Sequence, residues 1–422
     1  VLPPLPPQPL LDLPAATSLL DEGAPLDSVR GRTPVAKTSL PPNCPPDPQP
    51  YSHNLTFAKQ VIGQIHAYDS CSPPLLIATP EHTFLAASIT SGLNSTQSAT
   101  SNRIVCFEPA TGKASTVFQS SEPVTILDHH QPSGRTLVLH GHRVMGQGGQ
   151  LAVAKGWEDE TLTLKYFRAL PTIPSDQANA MTKAKQVHWA RWVDDEHVVA
   201  AIDTEIAVWN LFSGECVHRI CHFQSPCEPA ISAGRRYIAV PRPGSVELYE
   251  TQDGTALGTI PIEPGKRAFV SFSPRGDSLA IATTSRLRIW ELSSASLRGE
   301  AKSRRSLGKG KPIWIDSDLV LSPTGVLLSI YRGVPIWRYD LSGSTINSYG
   351  STASKQGFGI LTRRPHGQIA FVEMPHPTVQ QALPWVDDQL TTSNETVWEI
   401  PGQSVLGEYG WTDRDLRFTQ FD

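Results

Sequence analysis

The sequence predicts an all-β fold in which short strands recur in repeated units. Proline and glycine are abundant, with 37 Pro and 31 Gly among 422 residues, which favours frequent chain reversals over long helices. From about residue 61 onward, short runs of β-branched and aromatic residues alternate with turn residues, a pattern typical of strands. One turn-and-strand pattern also recurs along the chain, with starts 39 to 62 residues apart.

The first 52 residues differ from the rest in their proline content. Fourteen of the first 50 residues are proline, and each one removes a backbone N–H and biases the preceding residue toward extended geometry. We therefore expect residues 1–52 to form an extended arm that acts as a spacer, with PPLPP (3–7) as an alternative docking ligand. Residues 53–422 are expected to form the folded domain.

The recurring pattern is a small or polar turn followed by an apolar strand. Its seven copies are TPEHTFLAA (79–87), QPSGRTLVL (131–139), VDDEHVVAA (193–201), SAGRRYIAV (232–240), SPRGDSLAI (273–281), SPTGVLLSI (322–330) and RPHGQIAFV (364–372). Each copy is followed by a strand that ends in an aromatic residue: Phe107, Phe167, Trp209, Tyr249, Trp290, Trp337 and Trp398. The fixed place of these aromatic residues in the repeat predicts that they pack between repeats rather than form a ligand cage.

A repeat of about 40–50 residues with four short strands is typical of a β-propeller blade. A single blade cannot bury both faces of its sheet, whereas radial stacking buries each face against a neighbouring blade. The pattern predicts seven four-stranded blades. The alternative is eight blades, with the last formed from both chain ends, because VIGQIHAYD (61–69) and LRFTQFD (416–422) both resemble unpaired strands.

At this point the chain resembles the WD-repeat propellers, over roughly residues 60–410. The segment FVSFSPRGDSLAIATTSRLRIWEL (269–292) matches that family's repeat, with Phe-Ser-Pro before the first turn and a Trp-acid pair closing the third strand. Asp203 lies six residues before Trp209, as the family's structural Asp does. Pro243, Thr284 and Tyr331 stand at the position equivalent to Asp203 in later repeats, so the resemblance is to a divergent member.

The charge balance argues against nucleic-acid binding. The chain has 36 Lys and Arg against 40 Asp and Glu, a net charge of −4, whereas a nucleic-acid binder is expected to be basic. No apolar run reaches the roughly 18 residues of a membrane helix, so we expect no membrane span in this chain.

Local catalytic and cofactor motifs are not found in the sequence. It has no Gly-x-Ser-x-Gly elbow, and GKGK (308–311) is not preceded by the glycine that a phosphate-binding P-loop requires. We therefore predict no catalytic residues, no cofactor and no metal. The nearest metal candidate is the group His129, His130, His140 and His142. Acidic groups at 158–160, 194–196 and 387–388 are interpreted as solvated turns, with acid–base catalysis as the alternative.

One basic segment between the fifth and sixth repeats is the candidate partner-binding loop. Its basic residues are Arg298, Lys302, Arg304, Arg305, Lys309 and Lys311, against the single acid Glu300. A cationic loop beside the mouth of a propeller channel could bind an acidic peptide or another anionic surface, and the alternative is a solubilising loop.

Two functions remain open at this stage. The WD-repeat resemblance implies a non-enzymatic scaffold, expected to be monomeric, that binds a protein or peptide partner through its loop faces. The alternative is a propeller enzyme, either a lactonase-like hydrolase or a quinoprotein-type oxidoreductase, with its site at the channel mouth. The low charge and the long linker favour an extracytoplasmic or envelope-tethered domain, and the cytoplasm is the alternative that the resemblance implies.

Overall fold

The structure, a computed structural model, describes parts of the chain between residues 62 and 387. The described residues are 62–65, 70–72, 75–78, 83–91, 101–108, 113–141, 150–157, 161–168, 187–202, 205–214, 216–222, 228–263, 267–302, 307–323, 326–338, 349–350, 358–362, 367–372, 383–384 and 387. The predicted arm, residues 1–52, lies outside these ranges.

The described residues form 29 strands, which assemble into seven antiparallel sheets. The first described strand is β1 (Ile62–Ile65). The first sheet contains β2 (Ser70–Cys71), β3 (Leu75–Ala78), β4 (Thr83–Ser91), β5 (Ser101–Phe107) and β6 (Ala114–Ser120). The second contains β7 (Val124–His130), β8 (Arg135–His140), β9 (Gln150–Lys155) and β10 (Thr163–Arg168). The third contains β11 (Val187–Trp192), β12 (His197–Ile202), β13 (Glu205–Asn210) and β14 (Cys216–His222).

The remaining sheets follow in chain order. The fourth contains β15 (Ala230–Ile231), β16 (Tyr237–Arg242), β17 (Ser245–Glu250) and β18 (Ala256–Pro261). The fifth contains β19 (Phe269–Phe272), β20 (Ser278–Ala282), β21 (Arg286–Glu291) and β22 (Ser296–Lys302). The sixth contains β23 (Ile313–Trp314), β24 (Leu319–Leu321), β25 (Val326–Ser329) and β26 (Val334–Arg338). The seventh contains β27 (Tyr349–Gly350), β28 (Phe358–Thr362) and β29 (Gly367–Val372), together with β1.

The architecture confirms the all-β prediction and is consistent with a β-propeller. In the second to sixth sheets, strands adjacent in sequence are adjacent in space, as in a meander. Among the described residues, helical geometry occurs only at 131–133, 157, 383–384 and 387. Within the same ranges, no helix has the length and apolarity needed to cross a bilayer.

The seventh sheet joins distant parts of the chain. Its strand order is β27, β28, β29 and then β1, so an N-terminal strand lies beside the last described strand. The pairing is antiparallel, with Ile62 opposite Ile369 and Ile65 opposite Gly367.

The fifth sheet illustrates how the repeat pattern forms a hairpin. The turn after β19 is closed by backbone N–H donation from Gly276 to the Ser273 carbonyl and by the Ser273 hydroxyl, which donates to Asp277 Oδ1 at 2.7 Å. Gly276 adopts a φ of +70°, which glycine tolerates best. In β21, buried Leu287 and Ile289 alternate with half-buried arginines, as expected when successive side chains of a strand point to opposite faces.

The hydrophobic core lies between neighbouring sheets. Leu137 and Leu151 of the second sheet pack with Trp192 and Trp209 of the third. Apolar side chains also fill three other interfaces between neighbouring sheets. Ile77 and Ile104 of the first sheet pack with Ile126 and Val138 of the second, and Ile206 and Val208 of the third pack with Ile238 and Val240 of the fourth. Leu248 and Ile260 of the fourth sheet pack with Leu279 and Trp290 of the fifth. Each central sheet therefore buries both of its faces, which is the packing that radial stacking of blades produces.

The predicted core role is confirmed for three of the repeated aromatic residues. Trp209 is 0% exposed and Trp290 is 5% exposed, and Phe107 is also buried. Tyr249 is half-buried against the third sheet. The side chains of Phe167 and Trp337 and the whole of Trp398 lie outside the described residues.

In three repeats, the sequence pattern assigns a segment to the wrong strand of its sheet. In the second sheet, the segment ending at Phe167 is the fourth strand, and the third strand is β9, followed by buried Trp157. In the sixth sheet, the turn at 322–325 separates the second and third strands, so Trp337 lies on the fourth. In the seventh sheet, likewise, the repeat segment 364–372 ends on β29, the third strand of that sheet.

The physical reason for the shift in the sixth sheet is an earlier turn of equivalent geometry. Ile315 N–H donates to the Leu319 carbonyl at 2.8 Å, as Val193 N–H donates to the His197 carbonyl in the third sheet. This turn follows Trp314, just as the turn in the third sheet follows Trp192. The Ser-Pro-Thr-Gly motif therefore marks a different hairpin from the Ser-Pro-Arg-Gly motif.

Candidate functional site at the ends of the first strands

The first strands of three successive sheets end close together. Asp128 lies near the end of β7, Trp192 is the last residue of β11, and Arg235 lies in the turn after β15. Hydrogen bonds between these residues bring the second, third and fourth sheets to a common point.

Asp128 and Arg235 form a two-pronged ion pair. Arg235 Nη2 donates to Asp128 Oδ1 at 3.1 Å, and Nη1 donates to Oδ2. The Trp192 backbone N–H donates to Asp128 Oδ2 at 2.9 Å. The same guanidinium also donates to the carbonyls of Trp192 and His129, each at 3.3 Å.

This ion pair is largely removed from water. The Asp128 side chain is 6% exposed and the Arg235 side chain is 20% exposed. A carboxylate buried to this extent needs charge and hydrogen bonds to offset its desolvation, and the guanidinium and the Trp192 N–H supply them. The two charges therefore connect neighbouring sheets.

Arg235 has an unusual backbone conformation. Its φ is +68°, in the left-handed region that residues other than glycine rarely adopt. In the equivalent turns of the second and fifth sheets this position is Gly134 and Gly276, with φ of +63° and +70°. An arginine where the repeat has a glycine is the sequence signal that could have identified this cluster.

Arg191 lies beside the ion pair but is not part of it. Its Nη1 donates to the neighbouring Ala190 carbonyl at 2.8 Å, and its guanidinium carbon lies 5.5 Å from the centre of the Trp189 ring. Burial lowers the pKa of Arg191, and the nearby charge of Arg235 acts in the same direction. Among the described residues, no carboxylate lies within 4.0 Å of its guanidinium.

The opposite ends of the first strands carry a second charged group. Lys311, just before β23, donates from Nζ to the Pro229 carbonyl at 3.0 Å and lies 3.3 Å from Glu228 Oε1. Glu228 precedes β15, so this contact connects the entries of the fourth and sixth sheets across the fifth. Ser271 supports the arrangement by donating its hydroxyl to the Pro312 carbonyl at 2.8 Å.

The structure places the predicted cationic loop residues in different surroundings. Arg298 lies on β22, with its guanidinium 4.9 Å from the centre of the Tyr331 ring, while Lys311 contacts Glu228 and Lys309 is exposed. Lys302 is the last residue of β22, and nothing is described of its side chain. Arg304 and Arg305 lie outside the described residues. Partner binding by this loop stays a prediction.

A cluster in the sixth sheet was not predicted from the sequence. Arg332 donates from Nε and Nη2 to the two carboxylate oxygens of Asp387, at 2.6 and 2.9 Å, and from Nη1 to Asp318 at 3.1 Å. Asp387 follows the last described strand, so a later segment returns to the sixth sheet. The interpretation of Asp387 as a solvated turn residue is therefore wrong, because Arg332 neutralises it.

The acidic turn at 194–196 is solvated as predicted. Burial alone would raise the pKa of Asp194, but backbone N–H donation from Glu196 and His197 and contact with the His197 ring lower it overall. All three acids are exposed. They cap a turn and offer no converging pair for acid–base catalysis.

The described histidines of the metal candidate contact different partners. His129 Nδ1 lies 2.9 Å from the Thr136 hydroxyl, which accepts a hydrogen bond from Trp157 Nε1. His130 contacts Ser133, and His140 contacts Ser120 and Glu122. Strand β8 ends at His140, and His142 lies outside the described residues. Among the residues that the structure describes, no three metal-ligating side chains are grouped.

Sequence comparison gives one relative that bears on the fold. No family model matches the chain. The chain is 21% identical to WD repeat-containing protein 3 of Mus musculus over 141 residues, which is 32% of this chain and 15% of that protein. The similarity supports the WD-repeat resemblance that the turn-and-strand pattern indicates. The match spans only 15% of that relative, so it supports a resemblance in the repeat and carries nothing about activity.

Proposed function

We propose that this chain is a non-enzymatic β-propeller scaffold that binds a protein or peptide partner through a loop face. The observation that carries the proposal is the Asp128–Arg235 ion pair, which fixes the first strands of three successive sheets to one another. The ion pair holds neighbouring sheets together as a scaffold, and loops on a rigid scaffold are well suited to recognition. The WD-repeat similarity supports the same class of function.

The proposal includes a ring of seven blades closed by β1. Seven described sheets, with cores between neighbours, support this number. Pairing of β1 with β29 supports closure in the last blade, because it joins the first described strand to the last described one. Residues 1–52 then form a spacer outside the ring, and residues 53–422 form the propeller, acting as a monomer.

The proposed docking face is the one that carries the loop between the fifth and sixth blades. Lys309 is exposed there, and the neighbouring sequence adds Arg304 and Arg305. A concentration of positive charge on a loop attracts an acidic partner and speeds its encounter. We expect protein or peptide partners, and no nucleic acid, because this segment has no interleaved aromatic residues for base stacking.

The test compares two variants with the same change in charge. One reverses Arg304, Arg305 and Lys309 to Glu, and the other reverses the exposed residues Lys155, Lys165 and Arg219 elsewhere on the surface. Proteins retained by the immobilised parent from a lysate are identified by mass spectrometry. Loss of the same proteins with the first variant alone supports the proposal. Equal retention by all three proteins contradicts the choice of face, and turnover of a substrate by the purified chain contradicts the scaffold function.

A further inference from the structure

We propose that Arg191 binds a carboxylate of an acidic peptide partner at the first strand of the third sheet. This inference rests on the proposed function, and it names the chemical group of the partner that the scaffold recognises. Three observations support it. Arg191 has hydrogen-bond donors that the described fold does not use, the neighbouring acids pair with other cations, and two contacts orient its side chain.

Arg191 has more hydrogen-bond donors than the fold uses. A guanidinium is a planar fork of several N–H groups that matches a carboxylate with two parallel hydrogen bonds. Only one hydrogen bond of its side chain occurs within the described structure, from Nη1 to the Ala190 carbonyl. Arg191 is half-buried, so part of its side chain is accessible to a ligand.

The acids that act electrostatically on Arg191 have other partners. Asp128 and Glu228 both act electrostatically on Arg191, but Asp128 is held by Arg235 and Glu228 by Lys311. Arg191 is therefore a positive charge in a partly desolvated position with no ion pair among the described residues. Keeping a charge in such a position costs stability, and functional sites are where proteins commonly accept such a cost.

The position of Arg191 is suited to a charged ligand. The Trp189 ring lies under the guanidinium at 5.5 Å, and the hydrogen bond to Ala190 fixes one edge of the fork. Both contacts restrict the rotamers of a long side chain, which reduces the entropy lost on binding. A carboxylate arriving here would neutralise the charge and complete the hydrogen bonds of the fork.

The binding test uses a fluorescein-labelled oligoglutamate peptide and the full chain, followed by fluorescence anisotropy. Oligoglutamine of the same length is the uncharged control. We expect Arg191→Gln to weaken oligoglutamate binding by about tenfold or more, because a hydrogen-bonded charge pair is lost. Arg219→Gln, at a 53% exposed arginine on β14 of the same sheet, should change binding by less than about twofold. Arg191→Lys should give intermediate affinity, because it keeps the charge but not the fork.

A stability measurement separates a binding role from a structural one. If Arg191 serves a ligand, the urea midpoint of Arg191→Gln should equal or exceed that of the parent, because an unpaired charge is removed. A clearly lower midpoint would overturn the inference and assign Arg191 to the fold. Two other results would also overturn it: no oligoglutamate binding by the parent, or equal weakening in the Arg191 and Arg219 variants. Either result leaves the scaffold proposal standing if reversal of the 304–309 charges still abolishes partner capture.

Discussion

At the scale of single residues, Asp128 and Arg235 illustrate how one copy of a sequence repeat forms a contact that the other described copies lack. The turn at 232–236 follows the repeat pattern, yet Arg235 takes the left-handed position that glycine occupies in related turns. The strain of that conformation is about 1–2 kcal/mol for a residue with a side chain. It is offset by four hydrogen bonds that the guanidinium donates across three sheets.

Replacing Asp128 by Ala should lower the free energy of unfolding by about 3–5 kcal/mol, because it leaves the Arg235 charge buried without its partner. Urea unfolding measures this value. The double variant Asp128→Ala/Arg235→Gly should lose less than the sum of the two single changes, since removal of both charges also relieves the backbone strain. Strict additivity would show that the two side chains do not interact in solution.

Trp290 tests the predicted packing role of the repeated aromatic residues. It is 5% exposed and packs between the fourth and fifth sheets, so Trp290→Ala should cost about 3–5 kcal/mol. Val217→Ala is the matched control, because Val217 is 52% exposed, and it should stay within about 0.5 kcal/mol of the parent. Urea midpoints of both variants check the prediction, and a loss below about 1 kcal/mol at Trp290 would exclude a core role.

The sequence predicts the buried tryptophans of the repeat better than it predicts the Asp128–Arg235 ion pair. The burial of Trp209 and Trp290 follows from their fixed place in the repeat, because both of these repeats pack the aromatic residue of the third strand against a neighbouring sheet. The Asp128–Arg235 contact joins residues 107 positions apart and occurs once among the described turns. A repeat pattern reports what the units share, so a contact made by one unit alone is not visible in it.

At the scale of elements, the close contact of β22 with the sixth sheet shows how the strands are spaced. A Cβ added to Gly299 would lie 2.4 Å from Ile330 Cγ2 and 2.8 Å from the Ile330 carbonyl oxygen. The backbone of β22 therefore approaches the sixth sheet as closely as glycine allows. The same region holds Arg332, which bridges Asp318 and Asp387, so a segment beyond the last described strand is fastened here.

The contact between Arg332 and Asp387 should depend on pH. The hydrogen bond from Arg332 lowers the pKa of Asp387 below its usual value of 3.8, so the folded state favours the carboxylate. Its stabilisation is therefore fully present above the unfolded pKa and is lost as the pH falls through the lower, folded value. Asp387→Asn should cost about 1–2 kcal/mol at pH 7 and at pH 5, and the difference from the parent should shrink steadily as the pH falls below 3.8 and through the lower, folded pKa.

Urea unfolding of both proteins across this pH range measures the effect. Asp195→Asn is the control, because Asp195 lies in an exposed turn, and it should differ from the parent by less than about 0.5 kcal/mol at each pH. A cost of Asp387→Asn that does not decrease as the pH is lowered below 3.8 would show that the charge of Asp387 is not what holds this segment in place.

At the scale of the whole molecule, the repeat predicts the all-β class and the stacking of sheets, but not every strand register. In the fifth sheet the Ser-Pro-Arg-Gly turn and Trp290 lie where the pattern predicts. In the sixth sheet, the similar Ser-Pro-Thr-Gly turn belongs to the next hairpin, because the turn at 315–318 has already reversed the chain. Local sequence indicates that a hairpin forms, whereas the position of that hairpin in the sheet depends on where the preceding turn falls.

Arg191 shows a further limit of sequence analysis at this scale. Its strand, VHWARW (187–192), gives no indication that one arginine would remain without an ion pair. That property depends on Asp128 and Glu228 finding Arg235 and Lys311 on other sheets. The predicted basic loop, by contrast, was evident as a local concentration of charge, because its residues are close together in the sequence.

The proposed closure of the ring by β1 leads to a prediction about the whole domain. Removal of residues 1–52 should change the free energy of unfolding by less than about 0.5 kcal/mol, because the proposed arm lies outside the ring. Removal of residues 1–65 deletes β1 and leaves the outer edge of β29 without its partner. Every blade of a ring depends on closure, so this longer truncation should lower both the urea midpoint and the steepness of the transition. Equal losses from the two truncations would mean that the arm packs on the propeller. Two harmless truncations would mean that β1 does not close the ring, and the last blade would then need another outer strand.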